Sequence, residues 1–268
     1  MQLKNKCILL TGATGGIGKP LALQLAAKGA KLILVGRDSN KLETLAQQIH
    51  NKGGNAKTLV ANFAEQGATQ QLAQQAPLQF GNVDILINNA GVLDFIQFED
   101  QSPERIAQMI ETNVTAPIQL ANALMPHFKA NNQGQLVMIG SILGSLGFPH
   151  YATYCASKFA IHGFSQALRR ELVDTNIGLT YIAPRGVNTP MNDAATLAML
   201  AKTGGNVDEP EKVAEIIVKA IEQQKQEVFI GQPESFFAWL NGFLPSVVSI
   251  GLKKQARLAR EFAAKNKH

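Results

Sequence analysis

The 268-residue chain is 46% hydrophobic and 17% charged, enough apolar material for a packed α/β domain and too much for a disordered chain. Its formal net charge of +5 is local: six of the 25 basic residues but only one of the 20 acidic ones lie in 253–268, so the first 252 residues carry 19 of each sign. A neutral body argues against a broad nucleic-acid footprint.

The first strand, Lys6–Thr11, runs into a glycine-rich loop, Thr11–Lys19, and then a helix over Ile17–Lys28. The loop reads T-G-x-x-x-G-x-G. It is not the dinucleotide fingerprint G-x-G-x-x-G, because Leu21 stands where the last glycine would fall. Gly12 permits a tight turn. Gly16 and Gly18 remove side chains where backbone must approach a pyrophosphate and where helix must meet strand. The helix start adds N–H groups and a positive dipole end, and Pro20 fits its first turn. A phosphate site competes here with the plainer reading of a glycine-rich βα turn.

Further strands are expected at Lys31–Gly36, Ala56–Ala61, Val83–Asn88, Gln135–Gly140, Gly178–Ala183 and Glu227–Ile230. Between them lie helical patterns at Asn40–Asn51, Gln66–Gln75, Pro103–Lys129, Tyr151–Val173 and Glu209–Gln224. Most strands are continuously apolar, as in parallel sheets covered on both faces. The alternation predicts a single α/β domain over 1–268, a doubly wound Rossmann-type parallel seven-stranded sheet with helices on both faces. Residues 232–268 form an apolar, then basic, extension. No signal peptide and no spanning helix are expected. Cys7 and Cys155 stand in no metal-ligand spacing and fit a reducing cytoplasm. His50, His127 and His162 assemble no metal set with acidic residues.

Three more stretches accompany the loop. "NNAG", Asn88–Gly91, closes the fourth strand; "ETNVTAP" places Asn113 in the long helix; "YCASK" supplies Tyr154 and Lys158, with Ser141 thirteen residues before the tyrosine. Their joint order and spacing resemble the short-chain dehydrogenase/reductase family over about residues 5–190. Tyr154 and Lys158, four apart, share a helix face, so the ammonium is expected to stabilise the phenolate; a downward shift of about three units takes roughly 4 kcal/mol, to be supplied by that close charge plus the oxidised nicotinamide. Ser141 follows the fifth strand, at the sheet edge where such folds bind ligands.

The resemblance implies hydride transfer between a nicotinamide and a carbonyl or alcohol, without metal. Tyr154 would donate the proton, Ser141 polarise the carbonyl, Lys158 tune Tyr154 and bond the nicotinamide ribose, and Asn113 shape a water-linked proton relay. The implied cofactor residues are Gly12, Thr14, Gly15, Gly16, Ile17, Gly18, Arg37, Asn62, Asn89, Ala90, Gly91, Val187 and Thr189, with Tyr154 and Lys158. Homodimers or homotetramers are common in the family. The alternatives are an NAD-dependent alcohol dehydrogenase with the same site and a nucleotide-binding sensor without turnover; the intact quartet speaks against the latter.

A count of about 20 residues past the loop lands on Asp38, which would suggest a ribose-binding acid and NAD. In NAD-preferring relatives, however, the acid stands at or just after the strand end, and Gly36 holds that place. Arg37 follows, placed to pair a 2′-phosphate, while Asp38 or Ser39 caps the next helix. NADP is therefore expected. The chain departs from its relatives at Asn62, where an aspartate is usual, and at Arg185, where a glycine is usual.

Leu93, Phe95, Ile142, Leu143, Phe148, Tyr151 and Met191 are expected to wall an apolar substrate pocket, with Pro190–Val207 as its lid. Tyr151 lacks a lysine four residues on, and Cys155 is read as helix packing. After the last strand, "ESFFAWLNGFLPSVVSIGL" concentrates apolar bulk beside the basic segment from Lys253. That is the pattern of a segment lying on an anionic membrane surface; the plainer reading packs it on the domain or a sister subunit.

Overall fold

The computed structural model describes residues 1–264. Lys265 and Lys267 of the basic tail lie outside the described residues. The sheet comprises β1 (Cys7–Thr11), β2 (Lys31–Gly36), β3 (Asn55–Val60), β4 (Ile85–Asn88), β5 (Gly134–Ile139), β6 (Ile177–Pro184) and, after two short strands β7 (Gly186–Val187) and β8 (Val207–Asp208), β9 (Glu227–Ile230). Its order is β3-β2-β1-β4-β5-β6-β9, parallel throughout.

The helices are α1 (Gly18–Ala27), α2 (Ser39–His50), α3 (Ala68–Phe80), α4 (Pro103–Ile110), α5 (Ala116–Ala130), α6 (Ala152–Glu171), α7 (Ala194–Thr203), α8 (Pro210–Glu222), α9 (Glu234–Asn241), α10 (Pro245–Gly251) and α11 (Lys253–Ala263). Strand alternation divides the core between two layers. Ile8, Leu10, Leu32 and Leu34 pack with Leu21, Leu45 and Ile217 of α1, α2 and α8. Leu9, Ile33 and Leu86 pack with Leu72, Leu124 and Ile161 of α3, α5 and α6. Covering on both faces is why these strands carry unbroken apolar runs.

The strand order reverses between β1 and β4, which opens a crevice at their carboxyl ends. The glycine loop leaves β1 and the Asn88–Gly91 stretch leaves β4, so both motifs meet there.

Four local features depart from the sequence expectations. Helix α3 continues through Pro77 to Phe80, and Gly81 ends it at φ +77°. The long helix expected over 103–129 is interrupted by a π-helical turn, Glu111–Thr115, centred on Asn113. Strands β7 and β8 pair as a small separate ribbon, Gly186 opposite Val207. Finally, the region after β9 folds as three helices against the domain.

Candidate active site

The glycine loop is shaped by close approach. Gly12 sits at φ +63°, and a Cβ there would lie 2.9 Å from Ala90 Cα. A Cβ at Gly18 would run into the Gly12 carbonyl, and one at Gly16 into the Thr189 side chain. The segment just after β4 holds the loop: Thr11 Oγ1 accepts the Asn89 and Ala90 N–H groups, each at 3.0 Å, and Asn89 Nδ2 donates to the carbonyls of Thr11 and Gly12 at 3.1 and 3.0 Å. No side chain caps α1. A bare backbone cradle at a helix start fits a dinucleotide pyrophosphate.

Across the crevice, α6 presents Tyr154 and Lys158 on one face, the Lys158 ammonium 5.6 Å from the Tyr154 ring centre. Both are buried. Lys158 Nζ donates to the Ile139 carbonyl at 3.0 Å, and burial pushes its pKa down to about 8. Burial pushes the Tyr154 phenol up to about 12, while its hydrogen bond with Ser141 pulls the other way. In the protein alone the shift thus runs opposite to the lowering expected with lysine and oxidised nicotinamide together. The apolar wall raises the phenol, and Lys158 spends its nearest contact on a carbonyl. A phenol so held is a proton donor at neutral pH.

Ser141 lies just beyond β5 in extended backbone, and its Oγ accepts the Leu143 N–H at 3.1 Å. Tyr181, fully buried on β6, donates to the Ser141 carbonyl at 3.3 Å and fills the space above Gly140 and Gly144. Sequence reasoning missed this support, because Tyr181 looks like any strand core residue.

Asn113 does not face the cavity. Its Nδ2 donates to the Val92 carbonyl at 2.9 Å and to Ser157 Oγ at 3.0 Å, and its Oδ1 accepts the Val92 N–H at 2.8 Å. The π turn brings Asn113 to the chain just past Gly91, so its side chain holds that loop.

One cavity of about 600 Å³ joins these parts. Gly12, Gly15, Gly16, Ile17, Asn89, Ala90 and Gly91 line it together with Ser141, Tyr154, Lys158, Val187 and Thr189. The expected wall residues Leu93, Ile142, Leu143, Phe148, Tyr151 and Met191 all border it. Phe95 does not; it is buried behind the wall, stacked on Tyr151 at 5.0 Å. The segment expected as a lid contributes Thr196, Met199, Leu200 and Thr203 of α7 to its lining. Phe237, Leu240, Val247, Val248, Leu252 and Gln255 of the extension also line the cavity, which sequence reasoning did not foresee. Gln255 Oε1 is buried there without a hydrogen-bond partner among the described residues.

Thr14, Gly18, Arg37 and Asn62 lie outside this cavity. Gly18 is buried at the start of α1. Thr14 borders a second, smaller hollow with Lys19, Lys41 and Thr44, and Arg37 is exposed. Asn62 has local partners: Nδ2 donates to Glu65 at 2.9 Å, and Oδ1 accepts the Ala64 N–H at 3.3 Å. Asp38 caps α2, accepting the Lys41 N–H at 3.1 Å.

The short chain dehydrogenase family model matches residues 6–199, which hold every motif of this crevice. The chain belongs to the short-chain dehydrogenase/reductase family. It is 31% identical over 279 aligned residues to dehydrogenase/reductase SDR family member 7B of Bos taurus, covering 99% of this chain and 85% of that protein. It is 32% identical over 194 residues to the 3-oxoacyl-[acyl-carrier-protein] reductase FabG of Escherichia coli, covering 72% and 78%. A short-chain dehydrogenase from Sphingobium yanoikuyae in complex with NADPH superposes with a TM-score of 0.78 at 25% identity, covering 91% of this chain and 95% of that one. One from Burkholderia phymatum in complex with NAD gives 0.84 at 21% identity, covering 92% and 96%.

Within this family frame, Arg185 replaces the usual glycine. Its guanidinium is 15% exposed and binds Asp208, Glu234 and the Gln232 carbonyl, so it ties the β7–β8 ribbon to the start of α9. The departure is a structural clamp and leaves the loop to Thr189 intact. Cys155 is buried, and burial raises its thiol, in line with a packing role. Among the described residues no cluster of His, Cys, Asp or Glu could hold a metal ion.

Proposed function

We propose that this oxidoreductase uses NADP(H) to interconvert a carbonyl and an alcohol on an apolar substrate. The observation that carries this reading is the convergence of Ser141, Tyr154 and Lys158 on the cavity that Gly12, Gly15, Gly16 and Ile17 also line. When bound, the cofactor supplies or accepts the hydride. Gly12, Gly15, Gly16 and Ile17 would hold its pyrophosphate with Asn89–Gly91, and Val187 and Thr189 would meet its nicotinamide end.

In the reductive direction Ser141 holds the substrate oxygen and Tyr154 gives that oxygen its proton. The carbonyl carbon gains the hydride, the C=O bond becomes C–OH, and solvent reprotonates Tyr154. Lys158, held by the Ile139 carbonyl, sets the charge beside the phenol. Asn113 positions the loop after Gly91 and acts through it.

Support for NADP comes from the end of β2. Asp38 caps α2, Arg37 is exposed just past the strand end, and Lys19 and Lys41 border a hollow with Thr14 of the glycine loop. Two NADPH-bound relatives, the Sphingobium dehydrogenase and the actinorhodin polyketide ketoreductase, are each 25% identical to this chain. The apolar lining favours a hydrophobic substrate, with Gln255 Oε1 as an acceptor for a remote donor group.

The test is cofactor oxidation against a panel of apolar ketones and aldehydes, NADPH beside NADH. Turnover with NADPH at a clearly higher kcat/KM supports the proposal. Preference for NADH refutes the cofactor assignment, and no turnover with any carbonyl or alcohol refutes the reaction.

A further inference from the structure

Helices α9 and α10, with the connection between them, are built inside out. The small Ala238 and Val248 face the domain and pack with Ile142 and Leu146, while Phe236, Trp239, Phe243, Leu244 and Ile250 face solvent. Trp239, Phe243 and Ile250 are 61%, 69% and 64% exposed. Three aromatic rings form a continuous strip, Phe236 to Trp239 at 5.8 Å and Trp239 to Phe243 at 5.2 Å. A contiguous apolar patch of this kind marks an interaction surface.

Charge beside the patch selects the occupant. Only Leu252 separates α10 from α11, whose Lys253, Lys254, Arg257 and Arg260 are all exposed against Glu261 alone. The inner side of α11 is already used: Ala259, Ala263 and Phe262 pack with Met199 and Phe95. The cations thus lie on the exposed side of the helix that follows the apolar face directly in the chain. A two-fold contact with a second copy would add an identical set of cations to the same interface, whereas an anionic lipid surface complements both features. No described helix is long and apolar enough to cross a membrane, so contact is at the surface. The patch is also continuous with the cavity, since Phe237 and Val247 are exposed and line it as well.

We infer that α9 and α10 form a membrane-docking face, held on anionic bilayers by the basic side of α11, with the cavity opening beside the lipid. Supply of bilayer-dissolved substrate through this mouth rests on the proposed reductase activity; the docking does not.

Trp239 is the chain's one tryptophan, so its emission reports on this face alone. The full chain is mixed with phosphatidylcholine vesicles with and without phosphatidylglycerol, at low and high salt. Emission is followed together with co-sedimentation, and no turnover is needed. With anionic vesicles, emission should shift to shorter wavelength and the protein should sediment, with salt reversing both. Lys253→Glu with Lys254→Glu should weaken sedimentation by at least about tenfold. Phe243→Ser with Ile250→Ser should remove it while preserving thermal unfolding. No shift and no sedimentation at low salt overturns the inference. So does a concentration-dependent dimer in buffer that already buries Trp239 and is dissociated by Phe243→Ser with Ile250→Ser.

Discussion

Arg185 grips Asp208 through two parallel bonds, Nη2 to Oδ1 at 2.7 Å and Nε to Oδ2 at 2.9 Å, while its Nη1 reaches Glu234 Oε2 at 2.9 Å. One fork thus joins the end of β6, the β7–β8 ribbon and the first turn of α9. Gly231, at φ +97°, leaves room for it, since a Cβ there would collide with the arginine stem. Arg185→Ala should cost about 1–3 kcal/mol, the loss of charge-assisted bonds at a partly solvated site. Arg185→Lys should recover little, because an ammonium cannot fork. KM for an apolar substrate should rise more than kcat falls, because α9 lines the cavity and the reacting groups are untouched. Urea unfolding and steady-state kinetics would check this; an unchanged midpoint in Arg185→Ala counts against the clamp.

Lys158 should make its mark on stability against pH. Its folded pKa, about 8, lies below the ordinary lysine value of 10.5. Between those values the unfolded chain binds more protons, so this group makes the fold more stable as pH rises from about 8 towards 10.5. Lys158→Met removes that dependence. The variant's stability relative to the parent should therefore fall by about 2–3 kcal/mol between pH 7 and pH 10. Tyr154 and Cys7 titrate in both proteins and cancel in the difference. Chemical denaturation at the two pH values would measure it; parallel pH profiles would contradict a buried lysine that charges near 8.

Tyr154→Phe keeps the ring and removes the proton donor. Turnover should drop by about 10²–10⁴, the usual span for general acid catalysis, while NADPH affinity changes little. Kinetics and a cofactor titration read the two separately. Activity within about threefold of the parent would end the proposed role.

Arg37→Ala should weaken NADPH by roughly tenfold to a hundredfold and NADH hardly at all, since the contact proposed for Arg37 is with the 2′-phosphate. Equal weakening of both cofactors, by titration, would reassign Arg37 to general backbone steering.

Much of the crevice is legible along the chain, because its parts are local. A turn at Gly12, two residues one helical turn apart at Tyr154 and Lys158, and the apolar runs of the seven strands each depend on near neighbours. The bare residues also point to Asp38 as a helix cap, since it stands past the strand end, and the structure has it accept the Lys41 N–H. Other features required residues far apart in sequence to meet. Burial, a property of everything packed around Tyr154 and Lys158, moves the phenol up to about 12 and the lysine down to about 8, opposite to what their spacing alone suggests for the phenol. Asn113 turns to Val92 because a π bulge redirects it. Arg185 finds Asp208 and Glu234 across 23 and 49 residues. The extension's apolar letters do not say which side chains face inward. Only its packing, with Ala238 inside and Trp239 outside, makes one side a cavity wall and leaves the other as an open face.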